Sequence, residues 1–257
     1  MLINSVEFFY IYNIIYFCTA CLVVVSALSA EIKKDILVQN KLGKFLIFLP
    51  LVSLIFVVGL RGYNVGADTS NYYNRLWLGE PELNFNSEFL FDLLAIILRG
   101  FDLSYTFFLF LISILFYVFL YGALKKYTKQ FEANLFFAFF VCISLFFFLS
   151  MSINVIRQGV SLSILLFSYT LWVERKSNFW VLFFVFLALS FHLTSIIPVL
   201  IFIVSILFHL IFSALPPLPP SQSLKSPPPQ NHSHHNVGPH LDTHLHWKMD
   251  YQSNTHS

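Results

Sequence analysis

The chain has 257 residues, 57% of them hydrophobic and 11% charged, with a mean hydropathy of +0.73 and a formal net charge of +2. Soluble domains carry about 25% charged residues, so this chain lacks the polar surface of a cytosolic enzyme, a disordered protein or a secreted disulfide scaffold. It reads as an all-α, polytopic membrane helix bundle; the net charge says nothing about nucleic acid, but no basic patch accompanies the apolar composition and no nucleic-acid partner is expected.

A helical span takes about 17–25 apolar residues. Seven stretches read as spans, several of them at the short end of that range: residues 8–29, 45–60, 105–124, 134–150, 157–173, 179–194 and 196–215. The first ends in Ala27-Leu28-Ser29-Ala30, which looks like a signal cleavage site, but no Lys or Arg precedes Lys33, so it reads as a retained span. Cys18 and Cys21 lie inside it and read as small packing residues rather than a redox pair.

Orientation follows from the placement of basic residues. Lys33, Lys34, Lys41 and Lys44, then Lys125, Lys126 and Lys129, then Arg175 and Lys176 fall in loops of one parity, which is therefore cytoplasmic. The opposite side carries Arg61, Arg75, Arg99 and Arg157 and no lysine. The N-terminus is then outside. The apolar run 89–98 is too short to span, so residues 88–102 read as an interfacial or re-entrant helix on the outer side.

Two domains of unlike composition follow. Residues 1–215 form the transmembrane domain and hold all 32 Phe. Residues 216–257 contain no Phe, 8 of the 11 Pro and 7 of the 9 His, and such a segment is expected to be disordered. His240, Asp242, His244 and His246 lack the spacing of a zinc site, and no metal is expected.

Several polar groups reach one depth. Arg61 is 17 residues beyond Lys44, about 26 Å at 1.5 Å per residue; Arg157 and His192 come to about 24 Å and 21 Å on their own spans. Charges at such a level face a bundle interior or wet cavity and mark a functional site. Asn154, Arg157, Gln158 and Ser161 are spaced for one helix face. The outer loop from Arg61 through Asp68, Asn71 and Tyr72 is rich in turn formers, hydroxyls and rings suited to sugars. Glu88 and Asp92, four apart, could serve as paired carboxylates in acid–base chemistry.

The ordered set Arg61-Gly-Tyr-Asn-Val-Gly66-Ala-Asp68-Thr69-Ser-Asn71-Tyr72, Glu88-Phe89, Asn154-Val-Ile-Arg157-Gln158-Gly159 and Ala188-Leu-Ser-Phe-His192 resembles the EpsG family. These are Wzy-type polymerases of bacterial capsule, exopolysaccharide and O-antigen. The resemblance covers residues 1 to about 215 and implies a multi-pass protein of the bacterial inner membrane. It implies a glycosyltransferase joining oligosaccharide repeat units carried on undecaprenyl diphosphate at the outer leaflet, with membrane lipid and other polysaccharide-assembly proteins as partners and no cofactor. Arg157, His192, Asp68 and Glu88 are the implied catalytic residues. Arg61, Asn71, Tyr72, Asn154 and Gln158 are the implied substrate-binding residues. Family members run on through further spans, so the abrupt change at Pro216 reads as a truncation with a tail foreign to the family. A lipid-linked sugar transporter or flippase, and an inactive truncated remnant, stay open as alternatives.

Overall fold

The computed structural model describes residues 2–33, 45–79, 83 and 89–214. Glu88, the lysines at 34, 41 and 44, and the Pro/His-rich segment 216–257 lie outside the described residues. Everything described is helical apart from turns and one isolated backbone bridge.

Ten α-helices are described in chain order. They are α1 (Ser5–Lys33), α2 (Phe48–Gly59), α3 (Thr69–Tyr73), α4 (Phe89–Gly100), α5 (Tyr105–Gln130), α6 (Leu135–Ser144), α7 (Phe146–Ile153), α8 (Ile156–Val173), α9 (Asn178–Phe191) and α10 (Ile196–Ala214). A π-helical turn, Asn74–Leu78, continues α3, and a 3₁₀ turn, Leu193–Ser195, joins α9 to α10.

Apolar composition drives these segments into helices, because a membrane interior offers no partner for backbone N–H and C=O groups. The seven expected spans are not seven membrane-length helices. Among the described residues Ser5–Leu28, Tyr105–Gln130 and Ile156–Val173 are long and apolar enough to cross. A fourth crossing is available if α6 and α7, which meet at 78°, act as one broken span. The break falls at Leu145, which adopts φ −68° and ψ 132°. One residue earlier, Ser144 Oγ donates to the Phe140 carbonyl at 2.7 Å, a back-bond that bends helices. The expected second and sixth spans appear as shorter apolar helices of 12 and 14 residues. The helix expected near 88–102 is present as α4.

A row of packed helices runs α1–α2–α5–α8–α9, with α6 also against α1 and α4 bridging α9 and α5. Small groups set the close approaches. A Cβ on Gly59 would sit 2.8 Å from the Phe110 Cα, so α2 and α5 touch backbone to side chain. Ser113 Oγ donates across the same seam to the Ile55 carbonyl at 3.0 Å. Ser161 Oγ donates to the Ala188 carbonyl at 2.5 Å, and Ser168 Oγ to the Val181 carbonyl at 2.9 Å. Seven residues forward on α8 is thus seven back on α9, so the two helices are antiparallel and in register.

These contacts sort the helix ends. Ile3 forms a parallel bridge with Arg61, which puts the start of α1 beside the end of α2. The starts of α5 and α8 and the end of α9 lie at that same end. The opposite end carries the ion pair between Lys126 and Glu174, joining the tails of α5 and α8. In a background without Cys18, Cys21 and Cys142, cysteines placed at Asn4 and Asn64 should react with an impermeant thiol reagent from one face of the membrane. Cysteines at Lys126 and Lys176 should react only from the other. Labelling of Asn4 and Asn64 from opposite faces would break this arrangement.

Candidate functional site

The site end is built on the chain after α2. Ile3 N–H donates to the Leu60 carbonyl at 3.2 Å and Gly62 N–H to the Ile3 carbonyl at 2.8 Å, which fixes the direction of the loop. Between them the Arg61 side chain turns inward. It is 1% exposed, its Nη1 donates to the Val58 carbonyl, and none of the described residues accepts from its Nε or Nη2. Burial pulls the guanidinium pKa down from 12.5 to about 10, against the opposing effect of the Tyr105 and Tyr117 hydroxyls. It remains a cation at neutral pH, inside the bundle and beneath the loop.

The next segment docks on the gap between α7 and α8. Helix α7 ends at Ile153, and its last carbonyls have no partner ahead of them within the helix. Thr69 Oγ1 donates to the Ile153 carbonyl at 3.1 Å. Ala67 N–H donates to Asn154 Oδ1 at 2.8 Å, while Asn154 Nδ2 donates to Ser150 Oγ at 3.3 Å. Asn154 therefore lies outside α8, which starts at Ile156, and does not share a helix face with Arg157 and Ser161 as the spacing predicts. Gly66 makes this docking possible. Its φ is +93°, and a Cβ there would lie 2.3 Å from the Ile153 carbonyl oxygen.

Arg157 emerges in the first turn of α8. Its Nε donates to the Tyr72 hydroxyl at 3.1 Å, and its guanidinium carbon lies 5.0 Å from the Tyr72 ring centre and 5.7 Å from that of Phe91. Those two rings meet edge to face at 5.3 Å. A planar cation held over aromatic rings keeps both its orientation and its charge.

Arg75 and Arg99 hold the scaffold. Arg75 grips Asp92 with two bonds, Nη1 to Oδ2 at 2.8 Å and Nη2 to Oδ1 at 2.6 Å. Asp92 is 3% exposed, and its carboxylate is held in this ion pair. Arg99 Nη1 donates to the carbonyls of Leu76 and Gly79, at 3.3 Å and 2.5 Å, and so ties α4 to the π-helical turn. Tyr105 Oη donates to the Thr69 carbonyl at 2.8 Å and ties the start of α5 to α3.

His192 follows the last residue of α9 with extended backbone, φ −157° and ψ 114°. Its N–H donates to the Ala188 carbonyl and its carbonyl accepts from Ser195 N–H. The α8–α9 register places it level with Arg157: one lies four residues before Ser161, the other four after Ala188. The shared depth of Arg157 and His192 is thus carried by packing as well as by counting residues.

Of the residues singled out in the sequence, Tyr72 and Arg157 touch, Asn154 fastens the loop beside them, and His192 lies at their level. Asp68 and Gln158 are half-buried and Asn71 is exposed at the same end. Phe91 and Tyr105 are residues at this end that sequence reading misses, while Thr69, part of the motif quoted from the sequence, gains its docking role only from the fold. In the sequence, Phe91 is one of 32 Phe, and nothing but the fold sets it over Arg157. Tyr105 gives no stronger signal. Among the described residues no three His, Cys, Asp or Glu side chains cluster as metal ligands. Gly66→Ala should push the loop off Ile153 and break the bonds at Thr69 and Ala67. Thermal unfolding in detergent should register a loss of about 2 kcal/mol or more, whereas an unchanged melting temperature would mean that the docking is incidental.

A family model described as the EpsG family matches residues 44–223. No curated protein and no solved structure matches the chain. The matched stretch takes in the loop after α2, α4 and the helix ends that carry Arg157 and His192, and it covers well over half of the 257 residues. The chain belongs to the EpsG family.

Proposed function

We propose that this protein joins lipid-diphosphate-linked oligosaccharide repeat units into longer chains at the outer leaflet of a bacterial inner membrane. Family membership and the apolar helices make it a membrane protein of polysaccharide biosynthesis. The polymerase reading rests chiefly on one observation, the Arg157 guanidinium held over Tyr72 and Phe91 at the level of His192.

In this reaction an acceptor sugar hydroxyl attacks the anomeric carbon of a second, lipid-linked chain. The new C–O bond forms as the bond to the diphosphate oxygen breaks, and the diphosphate leaves with the added negative charge. A fixed cation at the departing oxygens lowers that barrier. Arg157 has the fork geometry to hold two phosphate oxygens, and its seat on two rings limits the rearrangement needed when charge develops. Arg61 adds a second positive charge from beneath the loop. The hydroxyl proton passes to His192, Asp68 or Glu88, histidine being the residue type whose ordinary titration lies nearest neutral pH. Asn71 and Gln158 contact sugars, while Tyr72 and Asn154 act as positioning residues for Arg157 and the loop.

Reconstituted protein supplied with lipid-linked repeat units should yield longer chains. Units moved across the bilayer without lengthening would make it a flippase instead, and neither result would leave an inactive chain. With a cysteine at Asn64, intact cells should label from outside, as the outer-leaflet substrate requires.

Arg157→Lys keeps the charge but loses the planar fork. Its rate of polymerisation should fall by about 10²-fold or more, and a near-normal rate would reduce Arg157 to a headgroup anchor. His192→Ala should abolish chain growth at normal protein level. If His192→Gln also remains active, histidine only packs the end of α9, and the base is Asp68 or Glu88.

A further inference from the structure

The loop after Arg61 carries a second feature, separate from the Arg157 seat. The rings of Tyr63 and Tyr73 stack at 5.4 Å with 18° between their planes. Tyr63 is 54% exposed. Tyr73 packs in turn on Tyr105 at 5.2 Å, and Tyr105 on Trp77 at 5.2 Å. The outermost ring therefore rests on a ladder of rings that ends in the bundle core at Phe108. Gly62, just before Tyr63, is pinned to Ile3 by its N–H. Such a ring is held flat at the surface rather than free to fold down onto apolar neighbours.

Its surroundings are polar. Asn64, Asn71 and Asn74 are all exposed on the same short stretch of chain. Exposed rings set among amides suit a pyranose, which offers C–H bonds to an aromatic face and hydroxyls to the rim. The ladder also adjoins the candidate site directly, since Tyr72, the neighbour of Tyr73 in the chain, accepts the bond from Arg157 Nε.

We infer that Tyr63, stacked on Tyr73 in a stretch that also exposes Asn64, Asn71 and Asn74, is a carbohydrate platform that holds a sugar of the growing chain beside the diphosphate seat. This inference rests on the polymerisation reading for its choice of carbohydrate, but the platform binds sugar whether or not Arg157 is engaged. It supplies a hold on the polymer that does not depend on the lipid carrier.

The test uses soluble fragments of the producing cell's own surface polysaccharide, one, two and four repeats long, titrated calorimetrically into the full chain in detergent. The fragments carry no diphosphate and no lipid. Wild-type protein should bind them, more tightly with length up to the span of the platform. Tyr63→Leu keeps apolar bulk without a ring and should bind at least about fivefold more weakly, the scale of one lost aromatic contact. Tyr63→Trp should bind as wild type does. Matching melting temperatures for the two variants guard against loss of fold. Equal binding by Tyr63→Leu, or no binding by wild type, overturns the platform and leaves Tyr63 as part of an interfacial aromatic belt. Failure of the polymerase reading shows separately, as wild-type protein that binds fragments but does not lengthen lipid-linked units.

Discussion

The carbonyl end of α7 meets the loop Gly66–Thr69, and the site end of the protein is arranged around that contact. A helix that stops inside a bundle leaves acceptors unpaired, and in an apolar setting each unpaired group is costly. Here the Thr69 hydroxyl satisfies Ile153, and the Asn154 amide accepts from Ala67 while donating to Ser150. The backbone approach is close enough to exclude a side chain at Gly66. With the loop seated there, Thr69 begins α3, α3 presents Tyr72, and Tyr72 meets Arg157 as it leaves the next helix. The interruption between α7 and α8 thus both creates the need for the loop and aims the arginine.

Four arginines gather at this end, and the fold gives each a different task. Arg75 neutralises a buried aspartate and Arg99 caps carbonyls of an irregular turn, so both spend their donors on the scaffold. Arg61 is enclosed, keeping its charge within the bundle. Arg157 lies against the rings of Tyr72 and Phe91, which orient its guanidinium.

The aromatic residues carry a second division of labour. Phe91, Phe108 and Tyr105 are buried and build the floor, while Tyr73 and Tyr63 extend the same ladder to the surface. Aromatic rings are large and stiff, with few torsions to freeze. A ladder of them turns a loop, ordinarily the least fixed part of a protein, into a surface as well braced as the helices below it. Placing the arginine seat and the exposed rings on one braced element also fixes their separation.

Much of this was legible in the residues alone. Apolar composition and the absence of charge in long runs dictate helices, because only a helix satisfies its own backbone in a membrane. The pattern Arg61 to Tyr72, with Asn154-Val-Ile-Arg157-Gln158 and Ala188 to His192, carries the family, and counting 1.5 Å per residue brings Arg157 and His192 to one depth. Three things required the tertiary structure. Helix length was one: Leu145 breaks a run that is apolar throughout, and His192 turns extended at the end of another, since backbone hydrogen bonds rather than hydropathy decide where a helix stops. The fate of Asp92 was another, because a carboxylate four residues from Glu88 looks like half of a catalytic pair until Arg75, seventeen residues earlier, is seen to hold it. The third was the partner of Arg157. Tyr72 and Phe91 lie 85 and 66 residues away in the chain, one phenylalanine among 32 has no signature, and only the fold, with the loop docked on Ile153 carrying Tyr72 and α4 carrying Phe91, brings their rings under the guanidinium.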